Sequence, residues 1–232
     1  MDGADAIPIS RAERRQQATN DTRVSIIEAA RSTLLAVGSA NLSTRAVAEA
    51  AGVPLSQIHY HFGSKQQLIL AVLEAENRKL LERQRTMFGG PEPLSVQWER
   101  ACDYLDADVE SGYVRILQEM ISAGWSDGEV AEAVRGYLGG WYGLLTDVAN
   151  REAQRLGGLG PFTPGEVSAL MGMPFMGAES MILLGFGDDV LPARSALRKI
   201  GALIRSFEEG AGVARPANGP PRRSSTEIGG TS

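Results

Sequence analysis

The sequence predicts an all-α protein with an N-terminal unit of three short helices that a long helix joins to a larger helical domain. Apolar residues recur at three- and four-residue steps through most of the chain. No segment shows the alternation of apolar and polar residues between turn signals that strands show. Capping residues and glycine or proline stops divide the periodic pattern into about nine helices.

The N-terminal unit is predicted from apolar spacing and from its caps. A first helix follows Asn20 or Asp21 as the N-cap and ends at Gly38. Its apolar positions are Val24, Ile27, Ala30, Leu34 and Val37. Ser43 is the predicted N-cap of a second helix that ends at Gly52, and a third element runs from about Pro54 to Phe62. The small core of the unit is predicted to contain Ala46, Val47, Ala50, Val53 and Ile58.

A fourth helix is predicted to connect the two parts of the chain. Ser64 and Gln67 have the spacing of a capping box, and the pattern runs to about Met87, before two glycines and two prolines. Five more helices are predicted from similar signals. Their approximate ranges are 95–110, 113–123, 129–156, 164–184 and 192–209.

Four segments follow from these elements. Residues 1–19 are predicted to be a disordered basic arm that carries Arg11, Arg14 and Arg15, and residues 20–70 are the helix-turn-helix domain. Residues 71–210 are the helical C-terminal domain, and residues 211–232, rich in Gly, Pro and Ser, are a disordered tail.

The charge distribution allows a nucleic-acid partner despite a net charge of −5. Residues 1–70 hold seven Lys/Arg and six Asp/Glu, whereas residues 71–232 hold sixteen and twenty-two, so the excess acid lies in the C-terminal part. A single cysteine, Cys102, is typical of a protein in a reducing compartment. The first residues contain no apolar run like that of a signal peptide, and no apolar segment is long enough to span a membrane. We therefore expect a cytoplasmic protein with no membrane partner and no cofactor.

Three short helices with a glycine turn between the second and third are what a helix-turn-helix requires, in which the third helix reads base edges in the major groove. Residues 42–65 supply this unit. Amide and hydroxyl groups suit base edges and phosphates, and basic groups suit phosphates. The predicted DNA-binding residues are Ser43, Thr44, Arg45, Ser56, Gln57, His59, Tyr60, His61 and Lys65.

At these residues the segment resembles the DNA-binding domain of TetR-type transcriptional regulators, whose pattern is TxxxIAxxAGVSxGxxYxHFxSKxxL. The matching positions include Gly52, Phe62 and Lys65, over roughly residues 20–70. Pro54 stands where the family commonly has serine, and His59 where it has an aromatic that contacts phosphate. The resemblance implies an all-helical C-terminal domain, a homodimer on a palindromic operator with the last two predicted helices, about 164–184 and 192–209, at the dimer interface, and often a small-molecule effector.

The C-terminal domain carries aromatic and thioether side chains of the kind that line apolar cavities and also fill ordinary cores. The candidate ligand-binding residues are Trp98, Met120, Trp125, Trp141, Tyr142, Phe175 and Met176. Four glycines in the seventh helix, at 136, 139, 140 and 143, favour open volume or a close helix crossing. Candidate polar groups are Gln118, Glu119, Asn150, Glu179 and Ser180.

The sequence thus predicts a DNA-binding transcriptional regulator, in its leading form a homodimeric repressor that a small, largely apolar ligand releases from a double-stranded operator. Two alternatives stay open. The C-terminal domain serves only for dimerisation or binds a protein, or it is an enzyme. Against an enzyme, no histidine follows His61, and Cys102 has no base partner. A pairing of His59 with His61 in a metal site is disfavoured, because their i, i+2 spacing points them apart on a helix.

Overall fold

A computed structural model describes residues 10–213, with side-chain environments for residues 10–210. The described part of the chain forms nine α-helices and no strand, which confirms the predicted fold class. In chain order the helices are α1 (Arg11–Asn41), α2 (Thr44–Ala50), α3 (Leu55–Phe62), α4 (Lys65–Phe88), α5 (Leu94–Glu110), α6 (Tyr113–Gly124), α7 (Gly128–Leu156), α8 (Pro164–Leu183) and α9 (Ala193–Val213). Within this part, none of the helices combines the length and apolarity needed to cross a membrane.

The first helix starts about ten residues earlier than predicted. Ser10 and Glu13 form a reciprocal capping box, which was overlooked because residues 10–19 lack apolar periodicity. The prediction of a disordered arm is therefore wrong for residues 10–19, while residues 1–9 and the tail beyond Val213 lie outside the described part. At the other end Gly38 interrupts the helix with φ 77°, as its predicted role as a stop requires.

The helix-turn-helix core is built from the predicted elements with two changes. Val47 and Ile58 are buried as expected, but Ala46 and Ala50 are exposed and Ala48 takes the inward position. On a helix of 3.6 residues per turn, Val47 and Ala48 point about 100° apart, and Ala46 and Ala50 lie on the opposite side, so only one face of α2 meets the core. On α1 the buried stripe is Ile26, Ala30 and Leu34, and Val24 and Val37 are exposed.

Two hydrophobic clusters organise the molecule. The first joins α1–α4 to α6 and the start of α7 and includes Leu68, Val114 and Val130. The second joins the end of α4 to α5, α7, α8 and α9 and includes Trp98 and Phe175. Because α4 contributes to both clusters, no flexible linker separates the two parts, and a domain boundary at residue 70 remains a prediction.

Candidate DNA-binding surface and candidate ligand cavity

Helix α3, the predicted recognition helix, is held by its inner face and by the turns at its two ends. Ile58 and Phe62 are buried, and the Arg23 guanidinium of α1 lies 5.4 Å from the centre of the Phe62 ring. Gly52, with φ 66°, makes the turn before α3, and Gly63, with φ 73°, ends it. The outer face of α3 is thereby presented in a fixed orientation.

The predicted DNA-binding residues lie on this outer face and at the adjoining helix starts. Ser56 and Tyr60 are exposed, Tyr60 by 75%, and Gln57 and His61 are half-buried. The Tyr60 ring packs edge-on against His61 with 5.0 Å between ring centres, which positions the phenol without hiding its hydroxyl group. This face offers amide, hydroxyl and imidazole groups to a partner.

The N-terminus of α2 is placed at the same surface. Ser43 caps α2 by accepting a hydrogen bond from the Ala46 N–H at 3.5 Å. Arg45 is exposed and Thr44 is half-buried. The hydroxyl and guanidinium groups at this helix start suit phosphate oxygens.

Two predicted contacts are modified by the structure. The Lys65 ammonium donates to the Ala40 carbonyl at 3.0 Å, so it joins the start of α4 to the end of α1 and keeps only its other hydrogens for phosphate. His59 Nδ1 lies 3.3 Å from the Gly63 carbonyl oxygen and must carry the hydrogen, because a carbonyl only accepts. This contact engages one ring nitrogen of His59, and the contact of His59 with phosphate stays a prediction.

A small cavity lies in the C-terminal part between α4, α5, α6, α7 and α8. Its volume of about 40 Å³ holds about three water molecules. Four of the predicted ligand-binding residues line it: Trp98, Trp141, Phe175 and Met176. The Trp98 ring packs edge-on against Phe175, with 5.1 Å between centres.

Three predicted ligand-binding residues do not line this cavity. Trp125 is the C-cap residue after α6 and is 82% exposed. Met120 is buried in the first hydrophobic cluster. Tyr142 packs against Gly172 of α8, and its carbonyl accepts a hydrogen bond from Ser168 at 2.9 Å. Aromatic and thioether content alone did not distinguish cavity from core or surface.

Some polar residues that line the cavity were not predicted from the sequence. Tyr113 donates to Asn77 Oδ1 at 3.1 Å, and Trp141 Nε1 donates to Gln84 at 2.6 Å. Asp108 lines the cavity and pairs with the Arg83 guanidinium at 2.6 Å. A signal for Asn77 was present in the sequence, since it lies four residues from both Leu73 and Leu81 on the buried stripe of α4.

Of the five polar groups predicted as ligand-binding candidates, Glu179 is the one that lines this cavity. Its Oε2 is buried and has no hydrogen-bond partner among the described residues. Burial, together with the negative charge of Asp108, raises the pKa of Glu179 to about 8. A carboxyl group in this state exchanges between neutral and charged forms close to neutral pH.

Helix α6 contacts the cavity and the DNA-binding part at once. Tyr113 and Leu117 line the cavity, while Arg115 donates to the Leu35 carbonyl at 3.3 Å. Glu119 accepts a hydrogen bond from the Ser39 N–H at 2.8 Å, directly after the interruption at Gly38. Burial opposes ionisation of Glu119, but hydrogen bonds from Ser39 and Arg115 hold its pKa below the usual value. The carboxylate thus fixes the end of α1 to α6.

A second polar contact joins the start of α4 to the α6–α7 turn. Gln66 donates to Asp127 at 2.9 Å, and Asp127 also caps α7 by accepting from the Glu129 and Val130 N–H groups. These hydrogen bonds lower the pKa of Asp127, with that from Gln66 the largest cause. The turn that starts α7 is therefore fixed to the first turn of α4.

Comparison with known proteins relates both the N-terminal part and the overall fold to TetR regulators. Residues 26–72 match the family model described as bacterial regulatory proteins, tetR family. No curated protein matches the chain. A TetR transcription regulator from Haloarcula marismortui is 18% identical with a TM-score of 0.67, over 79% of this chain and 98% of that one.

Two further solved structures carry ligands. The transcriptional regulator FadR from Bacillus subtilis, in complex with stearoyl-CoA, is 13% identical with a TM-score of 0.65, over 79% of this chain and 98% of that one. A Saccharomonospora viridis protein assigned as a transcriptional regulator, in complex with choline, is 16% identical with a TM-score of 0.63, over 82% and 96% of the two chains. The fold of the described residues is thus the one found in TetR regulators.

Proposed function

We propose that this chain, whose residues 26–72 are those of the tetR family, is a homodimeric transcriptional repressor that a small, largely apolar ligand releases from a palindromic operator in the cytoplasm. The observation that carries the proposal is the outer face of α3. There Ser56, Gln57 and Tyr60 are accessible while Ile58 and Phe62 hold the helix in place. This arrangement suits base reading in the major groove rather than catalysis.

The proposed dimer uses α8, α9 and the loop between them. Large apolar side chains are exposed there, and contiguous patches of this kind mark interaction sites. They include Leu170, Met173, Leu184, Val190, Leu203 and Phe207, each more than half exposed. Replacing Leu203 by Glu is expected to convert the dimer to a monomer in light scattering and to weaken binding to a palindrome, because both half-sites are then no longer bound together.

The route from ligand to operator is proposed to pass through α6. A ligand that enlarges the cavity displaces Tyr113 and Leu117, and the same helix carries the Arg115 and Glu119 contacts to the end of α1. Movement of α6 therefore changes the orientation of the DNA-binding part, and a ligand that favours the displaced state lowers operator affinity.

Selection of operators from a random duplex library tests the DNA-binding part of the proposal. We expect the protein to enrich a palindrome, and Gln57→Ala with Tyr60→Ala to weaken binding to it by about a hundredfold or more, since each base contact contributes about 1–3 kcal/mol. Gln154→Ala with Trp125→Ala removes the same kinds of side chain from exposed positions elsewhere and serves as the control. Equal affinity of the two double variants would contradict the assignment of α3.

One observation favours a second candidate, a regulator without a small ligand. The cavity of about 40 Å³ is far below the ~300 Å³ of ordinary ligand sites, so a ligand has to open it. Ala101→Leu fills the cavity and separates the two candidates. Under the leading proposal this variant still binds the operator but no longer responds to compounds that release the parent protein. The second candidate predicts no such compound.

A further inference from the structure

We infer that the effector cavity takes a protonated amine with an apolar body, whose ammonium group donates to Glu179. This inference rests on the proposed ligand-controlled function and specifies the ligand class. The buried Oε2 of Glu179 lacks a partner, and buried polar atoms in folded proteins are almost always hydrogen-bonded. A carboxyl oxygen that faces a cavity in this state can accept a hydrogen bond from a donor on the ligand.

The charges around the cavity select the sign of the ligand. Its lining contains two carboxyl groups, Asp108 and Glu179, and no Lys, Arg or His side chain. The negative charge of Asp108 is already balanced by Arg83, which lies at 2.6 Å. The remaining group is Glu179: a carboxylate or phosphate ligand finds no basic partner in the lining, whereas a cation stabilises the charged form of Glu179.

The rest of the lining suits the other end of such a ligand. Trp98, Trp141 and Phe175 supply aromatic faces and edges, which attract an ammonium group as well as an alkyl chain. Two other side chains of the lining, Tyr113 and Trp141, carry hydrogen-bond donors, but these already donate to Asn77 and Gln84. Because these donors are already paired with other residues, neither of them satisfies Glu179, and a cationic ligand can do so.

A matched series of n-alkyl amine, alcohol and carboxylate, in butyl and octyl lengths, tests the ligand class on the full-length protein. Binding is followed by the fluorescence of Trp98 and Trp141 and by the melting temperature. At pH 8 we expect the amine to bind about ten- to a hundredfold more tightly than the alcohol, the range for hydrogen bonds to charged groups. The carboxylate is expected to bind least.

Two variants separate Glu179 from other causes. Glu179→Gln should remove the amine preference and leave the alcohol affinity unchanged, while Glu132→Gln, which removes the same charge from an exposed position on α7, should leave both unchanged. A preference for carboxylate or alcohol, or an amine preference that survives Glu179→Gln, overturns this inference and leaves the proposed function intact. Binding of no compound in the series overturns both the inference and the ligand-controlled part of the proposal.

A second inference rests on the N-terminal extension of α1. We propose that Arg11, Arg14 and Arg15 contact phosphates of the DNA flanking the operator half-site. These three residues share one helix face, because positions i, i+3 and i+4 are neighbours, whereas Glu13 points to the opposite side and bonds to Ser10. All three arginines are exposed, as is the whole segment 10–18.

The contacts of α1 show in which direction its N-terminal end extends. Its C-terminal half bonds to α6 and the preceding turn, through Arg31 to the Ser111 carbonyl and through Ser39 to Glu119. Farther back, Arg23 packs on Phe62 of the recognition helix. Arg11, at the far end of the arginine face, lies twelve residues before Arg23, which is about 18 Å along the helix. The arginine face therefore extends away from the ligand cavity, beyond the part of α1 that packs beside α3.

Salt dependence of binding to a mixed-sequence duplex of about 40 base pairs tests this contact independently of operator identity, because non-specific binding is almost wholly electrostatic. Replacing the three arginines by Gln should reduce the slope of log K against log salt by about 2–3. The control replaces the exposed Arg78, Lys79 and Arg85 of α4 by Gln and should leave the slope unchanged. An unchanged slope for the α1 variant, or an equal loss in the control, overturns the proposal.

Discussion

The helix-turn-helix and the cavity region place their polar side chains on opposite sides of their helices. In α2 and α3 the inner face is apolar, and Ser56 and Tyr60 point to solvent, where a partner can reach them. Around the cavity, Asn77 and Glu179 point inward among apolar residues. The first region is thus ready to bind at its surface, while the second holds an unsatisfied polar group inside.

Because of this difference, side chains for binding are separate from those for stability in α3 but are the same side chains around the cavity. A surface residue of α3 is removed at little cost in stability, because it contacts few other residues. A cavity residue also supports the core, so its loss affects folding as well as any ligand. Variants of the two regions should therefore separate clearly in unfolding experiments.

The largest expected effect is that of Trp98→Ala. Trp98 is 1% exposed, and its Nε1 donates to the Leu197 carbonyl at 2.7 Å, so the change leaves both a cavity and an unpaired carbonyl. We expect the free energy of unfolding to fall by about 3–5 kcal/mol in chemical denaturation. Trp125→Ala, at an exposed position, should change it by about 0.5 kcal/mol or less. Equal losses would mean that the two tryptophans do not differ in packing.

The contact between the two regions is tested by Gly112→Ala. Gly112 has φ 80°, and a Cβ there would overlap the Leu35 side chain of α1. Gly157→Ala is the control, since Gly157 has φ 79° and open space around it. We expect about 1 kcal/mol of destabilisation in the control, from the left-handed backbone, and about 1–3 kcal/mol more for Gly112→Ala. Thermal unfolding by circular dichroism measures both, and identical melting temperatures would refute the clash.

A smaller effect is expected from pH through Glu179. Its pKa lies near 8 in the folded protein against a usual value of 4.5, so between these values the folded state binds more protons than the unfolded state. Stability therefore falls as pH rises from about 4.5 to about 8. The titratable groups around Glu179 are Asp108, Tyr113 and Tyr142. Of these, Asp108 is paired with Arg83.

Glu179→Gln should flatten this decline in melting temperature and raise stability at pH 8 by about 1–3 kcal/mol, since it removes an unpaired buried charge. Asp108, whose pKa is also raised by burial, should leave a residual slope of the same sign. Melting curves at pH 5, 6, 7 and 8 for the parent, Glu179→Gln and the exposed Glu132→Gln provide the measurement. A decline unchanged by Glu179→Gln would assign the slope to other groups.

Most helix boundaries and the composition of the candidate DNA-binding surface follow from the sequence alone. Ser43, Ser64 and Thr163 each accept a hydrogen bond from the N–H group three positions on. The return bond of the predicted capping box forms at Thr163 but not at Ser64, since the Gln67 amide donates to Glu129 instead. The outer face of α3 follows from helical periodicity within eight residues. Such local interactions can be predicted from spacing because the partners are near each other in the chain.

Only the tertiary structure decided which side chains form the cavity and how it is linked to α1. Trp98, Trp125 and Trp141 look alike in sequence, yet one fills a core, one is in solvent and one donates to Gln84. The cavity brings together residues of five helices, from Asn77 to Glu179, whose meeting depends on helix packing rather than on spacing. Local pattern indicates that a helix has an inner face, but it does not identify the residues that the face will meet.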